Sequence, residues 1–250
     1  MSRKSMDKNQ NQNQNFQNFT CADCVTKACY HHEMDKLPAD CPTRRCPENE
    51  NLRFYSDEEM KIAQTAARVE AEGYGKLTRL EEIMAFSYRM GYRKLGVAFC
   101  VGFKNEAKIL VNILRENGFE VEAVMCKCGS VSKEVLGIDK AHQVRSVDYE
   151  PMCNPAGQGE HLNEAGTEFN IILGLCVGHD TIFIKHSKAP VTVFVCKDRV
   201  LAELLSGIVI SLLLSVREEI GTFGEKLAEI VTSFAGILKV YATEDGEYFL

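Results

Sequence analysis

Three cysteines stand at the ends of three short apolar runs: Cys100 after residues 95–99, Cys126 after 119–125 and Cys176 after 170–175. Cys128 follows two positions after Cys126, and Cys153 precedes Asn154-Pro155. Thiolates are soft ligands suited to zinc and iron–sulfur clusters, and separate loops can gather them into an all-sulfur site. Cys100, Cys126, Cys128, Cys153 and Cys176 are therefore the candidate cofactor ligands. The pattern Cys-Val-Gly occurs at both Cys100 and Cys176, and glycine there permits close backbone approach. A thiol beside a following helix N-terminus has a lowered pKa, which favours metal or nucleophile duty. Cys196, inside the run 193–197, is read instead as a small buried packing residue.

A second set lies upstream. Cys21, Cys24, Cys29, Cys41 and Cys46 follow the spacing C-x2-C-x4-C-x11-C-x4-C. A C-x2-C step lets two thiolates grip one ion from a tight turn, and later cysteines close the shell, so these five are the candidate metal ligands. Four sulfurs suit tetrahedral zinc and an iron–sulfur cluster equally. The spacing is neither that of a two-knuckle zinc ribbon nor that of a bacterial ferredoxin. His31 and His32 read as a solvent-facing pair.

His179 and Asp180 follow Cys176 closely and are the candidate catalytic residues, as a general acid or a partner to a ligand. The competing reading makes Asp180 a helix N-cap and His179 an ordinary loop residue. Lys185, His186 and Lys188 form a positive stretch that reads as a solvated face or an anion contact.

The elements that must position these groups form an α/β domain. Ser56/Glu59 and Thr78/Glu81 are capping boxes, opening one helix over 57–71 that stops at Gly73 and another that ends near Gly91. Strands are expected at 95–99, 119–125, 170–175 and 191–195, with a helix over 105–117 between the first two. Strands separated by helical segments imply a mostly parallel sheet with flanking helices, a Rossmann-like three-layer arrangement. The carboxyl ends of such strands share one edge, where ligands bind. No glycine-rich phosphate loop follows any strand, which argues against nucleotide binding. Residues 1–20 read as a disordered low-complexity leader, 21–50 as a cysteine-rich metal-bound segment, 51–201 as the α/β domain and 202–250 as a helical extension.

Eleven cysteines in 250 residues, with no export signal at the N-terminus, point to a reducing cytoplasm and to metal rather than disulfides. A net charge of −6 and the lack of a long basic run argue against nucleic acid. The apolar run 204–216 is too short for a bilayer span.

The segments Cys21-Ala-Asp-Cys24, Ala98-Phe-Cys100-Val-Gly-Phe103, Cys126-Lys-Cys128-Gly129, Cys153-Asn-Pro155 and Gly174-Leu-Cys176-Val-Gly-His-Asp180 together resemble a family of cysteine-rich proteins with a domain of unknown function. The resemblance extends to Ala189-Pro-Val-Thr192 and Lys197-Asp-Arg-Val-Leu201 and covers roughly residues 20–201. It implies metal binding and no particular reaction. It also implies a short tail after residue 201, where this chain instead continues with a longer apolar segment. The expected function is metal binding, with a [4Fe–4S] cluster ahead of zinc because sulfur ligands outnumber plausible histidines. The expected partners are a small molecule or a redox protein, with homo-oligomerisation open. The alternative is a zinc-stapled, non-catalytic interaction protein, and a metal-free Cys126/Cys128 redox pair is a third option.

Overall fold

The structure, a computed structural model, describes residues 21–45, 52–145 and 147–199. The leader 1–20, Cys46 and the extension 202–250 lie outside the described residues. The chain falls into two compact units whose boundary lies between Gln64 and Thr65, inside a helix.

In the first unit, α1 (Pro42–Arg45) follows two single-turn 3-10 segments, Cys21–Asp23 and Met34–Lys36. Few apolar side chains are available here, and the buried cluster consists of Ala28, Leu37 and Cys41. The Arg44 guanidinium tightens the turn by donating to the carbonyls of Leu37 and Pro38. Helix α2 (Asp57–Gly73) opens on the expected capping box: Ser56 N–H donates to Glu59 at 2.7 Å, and Glu59 N–H returns a bond to Ser56 Oγ at 3.2 Å.

The second unit begins with the rest of α2 and α3 (Arg79–Met90). Thr78 and Glu81 form a complete capping box, and Gly91 closes α3 in the left-handed conformation at φ 86°. Then follow β1 (Lys94–Phe99), α4 (Lys104–Glu116), β2 (Glu120–Met125), α5 (Pro155–Glu164), β3 (Phe169–Leu173), α6 (His179–His186) and β4 (Val191–Val195). The four strands and α4 lie within a few residues of their expected places.

The strands form one sheet in the order β2-β1-β3-β4, every pair parallel. The two inner strands carry the burial: all of β3 and the middle of β1 are shielded on both faces, as a helix-covered parallel sheet requires. Helix α4 offers Ala107, Leu110, Val111 and Leu114 at the spacing of one helical face. Right-handed crossovers set α4 on one face, because β1→β2 runs one way, and α5 and α6 on the other, because β2→β3→β4 runs back. The chain is thus an α/β protein with a four-stranded parallel sheet flanked by helices.

One polar group sits in the centre of the sheet. Asn170 on β3 is fully buried, accepts from Thr167 Oγ1 at 2.8 Å and donates to Ser187 Oγ at 2.8 Å. Opposite it, a Cβ at Gly96 would overlap the Asn170 amide, so glycine is required there by close approach.

Candidate metal centre

Because β1 leads to β2 on one side and its other neighbour is β3, the order of strands reverses between β1 and β3. That crevice, beyond the carboxyl ends of the strands, is where doubly wound sheets bind ligands. Cys100 follows β1 there and Cys176 follows β3, while Cys126 follows β2 next door. The register makes this a consequence of topology: Phe99 pairs with Met125 on one side and Leu173 on the other, so the three strands end level.

Cys153 arrives from far along the chain. Between β2 and α5 the backbone makes a long excursion whose base is closed by Met152 N–H to Val131 O at 2.7 Å and Lys133 N–H to Glu150 O at 3.0 Å. Asn154 then fastens the return. Its N–H donates to Cys126 O at 2.7 Å, its Nδ2 to Cys128 O at 3.3 Å, and its Oδ1 caps α5 by accepting from Gly157 N at 2.9 Å. Cys153 is thereby held beside Cys126.

Four of the five strand-edge thiols share a property: each receives an N–H at its sulfur. Lys197 Nζ lies 3.2 Å from Cys100 Sγ, Lys127 Nζ lies 3.4 Å from Cys153 Sγ, and Arg199 donates to Cys176 Sγ at 3.0 Å. Cys126 receives the Val101 N–H at 3.3 Å, presented by the 3-10 turn Val101–Phe103. Cys128 is different. Its thiol acts as a donor, to Asn154 O at 3.6 Å.

The electrostatics follow from these contacts. Cys126 is buried, and its S–H is shared between the sulfurs of Cys100 and Cys153. That sharing is the largest cause lowering Cys100 and Cys153, each to about 5, against the opposing cost of burial. Lys197 assists at Cys100, and Lys127 and His179 assist at Cys153. Cys126, which keeps the proton, is pushed up by the same two hydrogen bonds. Burial raises Cys176, outweighing the pull of Arg199, and burial also raises Cys128.

The two Cys-Val-Gly repeats differ. A Cβ at Gly102 would stand 3.4 Å from Lys197 Nζ, an ordinary contact, so Gly102 lies beside the ammonium without being required by it. Gly178 has open space around it but adopts φ 82° at the start of α6.

The residues after Cys176 are placed otherwise than the capping reading expects. Gly178, rather than Asp180, is the N-cap of α6, and His179 is its first residue. Asp180 turns its carboxylate onto the following amide, accepting from Thr181 N at 2.7 Å. Lys185 and His186 lie at the far end of α6, about 10 Å along the axis from His179. His186 Nδ1 meets Glu160 at 3.0 Å, on α5, and Lys185 and Lys188 are exposed. Cys196 is exposed rather than buried, because it follows β4 at the edge of the sheet.

In the first unit Cys21 and Cys29 are exposed, Cys24 is half-buried and Cys41 is buried against Ala28 and Leu37. Cys24 lies 3.6 Å from Thr26 Oγ1, and that contact lowers its pKa. His31 and His32 face solvent. Among the described residues, no three His, Cys, Asp or Glu side chains close on a single point as ligands of one ion. All ten described cysteines are free thiols, and among the described residues no helix is long and apolar enough to cross a membrane.

The site's cations escape a reading for ligand types. Lys127 adjoins two cysteines in sequence, and that adjacency was the available signal. Lys197 and Arg199 lie beyond the last strand, and only the topology connects them to Cys100 and Cys176.

Comparison with known proteins places the chain in a family. Residues 41–194 match the model described as "Protein of unknown function (DUF1847)", a stretch that contains all five strand-edge cysteines. An uncharacterised protein of Methanocaldococcus jannaschii is 46% identical over 187 residues, covering 75% of this chain and 91% of that protein. No solved structure matches. With more than half its length inside the family model and a near-full-length relative at this identity, the chain belongs to the DUF1847 family of proteins of unknown function.

Proposed function

We propose that Cys100, Cys126, Cys153 and Cys176 bind an iron–sulfur cluster, of the [4Fe–4S] type, and that the chain works in one-electron or cluster-dependent chemistry. The observation that carries this reading is the N–H donor at each of the four sulfurs. A thiolate needs such donors, and hydrogen bonds to sulfur are a main way a protein tunes a cluster. Cys128, whose sulfur meets no N–H of another residue among the described hydrogen bonds, falls outside the set.

The donor chemistry fits the group. A single zinc ion would draw all four sulfurs to about 2.3 Å from one point. A cluster gives each thiolate its own iron and tolerates wider separation. Within this reading the chain's residues have distinct duties. Cys100 and Cys126 are buried and keep water from the interior side, whereas Cys153 and Cys176 stand at the mouth. His179 is near enough to Cys153 to lower that thiol's pKa and begins α6. Asp180, engaged by the Thr181 amide, orients the first turn of α6. Free thiols at all ten described cysteines are compatible with a reducing, cytoplasmic setting. A small-molecule substrate or a redox protein is the corresponding partner.

A zinc-stapled interaction module is the second reading, favoured by the mutual contact of Cys100, Cys126 and Cys153. Metal and sulfide analysis with a visible spectrum, on protein purified without oxygen, separates the two. Iron and sulfide in near-equal amounts with a broad band near ~400 nm are expected of a thiolate-bound cluster. Stoichiometric zinc in a colourless protein overturns the cluster.

A further inference from the structure

Three of the four N–H donors at the thiols are full cations, and they reach the sulfurs from two separate places. Lys127 comes from the loop after β2, and Lys197 and Arg199 come from the segment that leaves β4. Surface lysines would be held loosely, but these have fixed seats. Lys127 Nζ also donates to Pro151 O at 2.7 Å. Lys197 Nζ stands over the Phe103 ring, 5.2 Å from its centroid. Phe103 is itself buried, with its ring against Gly174, where any Cβ would overlap it.

The count of charges is informative. Four thiolates around a doubly positive core are doubly negative together, and one added electron makes the assembly triply negative. Three cations neutralise the second state and overcompensate the first. Charge and hydrogen bonding at the sulfurs are among the factors that set a cluster's potential.

Resting on the cluster reading above, we infer that Lys127, Lys197 and Arg199 are positioning residues that hold the site in charge balance with the one-electron-reduced cluster. The chain is thus built to accept an electron from a one-electron donor and keep it. The step moves one electron from that donor to the site, and no bond is made or broken in the chain. The three side chains act through the thiolates.

The test is a potentiometric titration of the intact, anaerobically purified protein with dithionite as reductant, followed by electron paramagnetic resonance of the reduced form. Wild type is compared with Lys197→Met, Arg199→Leu and Lys127→Met, and with Lys197→Arg as the conservative variant. Iron and sulfide per chain are measured on every sample. Each neutral variant is expected to retain its cluster and to favour the oxidised form by about tenfold more, a midpoint lower by ~59 mV for one electron. Lys197→Arg is expected to stay near wild type. Midpoints unmoved in the neutral variants, or equal losses in Lys197→Met and Lys197→Arg, overturn the inference and leave the cluster reading standing. So does a wild-type cluster that dithionite does not reduce. Neutral variants that lose their cluster altogether also overturn it, since the cations would then be structural. A wild-type protein without iron and sulfide overturns the cluster reading itself, and this inference with it.

Discussion

Lys197 Nζ lies 3.2 Å from the sulfur of Cys100, a residue 97 positions earlier in the chain. The contact joins the segment after the edge strand β4 to the end of the inner strand β1, across the intervening β3. Its geometry depends on a short series of packed groups: Gly174 gives room to Phe103, and the Phe103 ring lies beneath the ammonium.

Gly174→Ala tests that series. The residue has φ 63°, and a new Cβ would overlap the buried Phe103 ring. Overpacking together with a left-handed non-glycine residue is expected to lower stability by about 2–4 kcal/mol. Urea denaturation compared with Gly137→Ala, also at positive φ but with open space around it, isolates the packing part.

Single Cys→Ser replacements divide the five strand-edge thiols. Cys100, Cys126, Cys153 and Cys176 variants are each expected to lose most of the bound iron and sulfide. Cys128→Ser is expected to keep them, because the hydroxyl can donate to Asn154 O as the thiol does. Iron and sulfide assays on the variants, normalised to folded protein by circular dichroism, check this division.

Thiol reactivity of the metal-free chain is expected to be uneven with pH. The shared Cys126 hydrogen bond, with Lys127 and His179, lowers Cys153 to about 5, while burial raises Cys128 above its ordinary 9.0. The thiolate is the nucleophile, so between those values Cys153 is charged and Cys128 is not. At pH 6 iodoacetamide is expected to label Cys153 roughly tenfold faster, after the lower nucleophilicity of a low-pKa thiolate is counted. The order should reverse above pH 9. Peptide mass spectrometry over a pH series reads both rates.

Acid is expected to loosen the excursion that returns Cys153 to the site. Glu150 bonds Lys133 at 2.5 Å and accepts the Arg145 N–H at 2.8 Å, and these contacts hold its pKa below the ordinary 4.5. A folded-state value below the unfolded one contributes stability that is present above the unfolded pKa. That contribution is lost as pH falls through the folded value. Amide exchange in residues 131–152 should therefore rise below about pH 4.5 in wild type and be raised already at neutral pH in Glu150→Gln. Exchange rates that do not differ between the two proteins at pH 7 would contradict this role.

Much of the fold was legible because the local signals agree with the tertiary answer. Ser56/Glu59 and Thr78/Glu81 both form their capping boxes, and the strand-helix-strand rhythm from Lys94 onward has the expected order. That Cys100, Cys126 and Cys176 reach one edge follows from parallel strands of matched register. That Cys153 rather than Cys128 receives a cation at its sulfur was not legible, since it depends on Asn154 binding both Cys126 O and Cys128 O. The cations were harder still. Lys185 and His186 sit closer in sequence to Cys176, but a short helix carries them to its far end, whereas Arg199 returns from 23 residues away. Cys196 was misjudged because an apolar neighbourhood in sequence does not bury a residue that follows an edge strand.

The thiols and cations have a fixed order of birth. Residues emerge from the ribosome at about 5–20 per second, so Cys100, Cys126 and Cys153 are all made before β3, and Lys197 and Arg199 follow β4. The nascent chain therefore passes through a stage with three thiols and a single matching cation, Lys127. The other two cations arrive with the last described residues. A message truncated before codon 197 would therefore yield a sheet that carries all four edge thiols and one of the three cations that meet them.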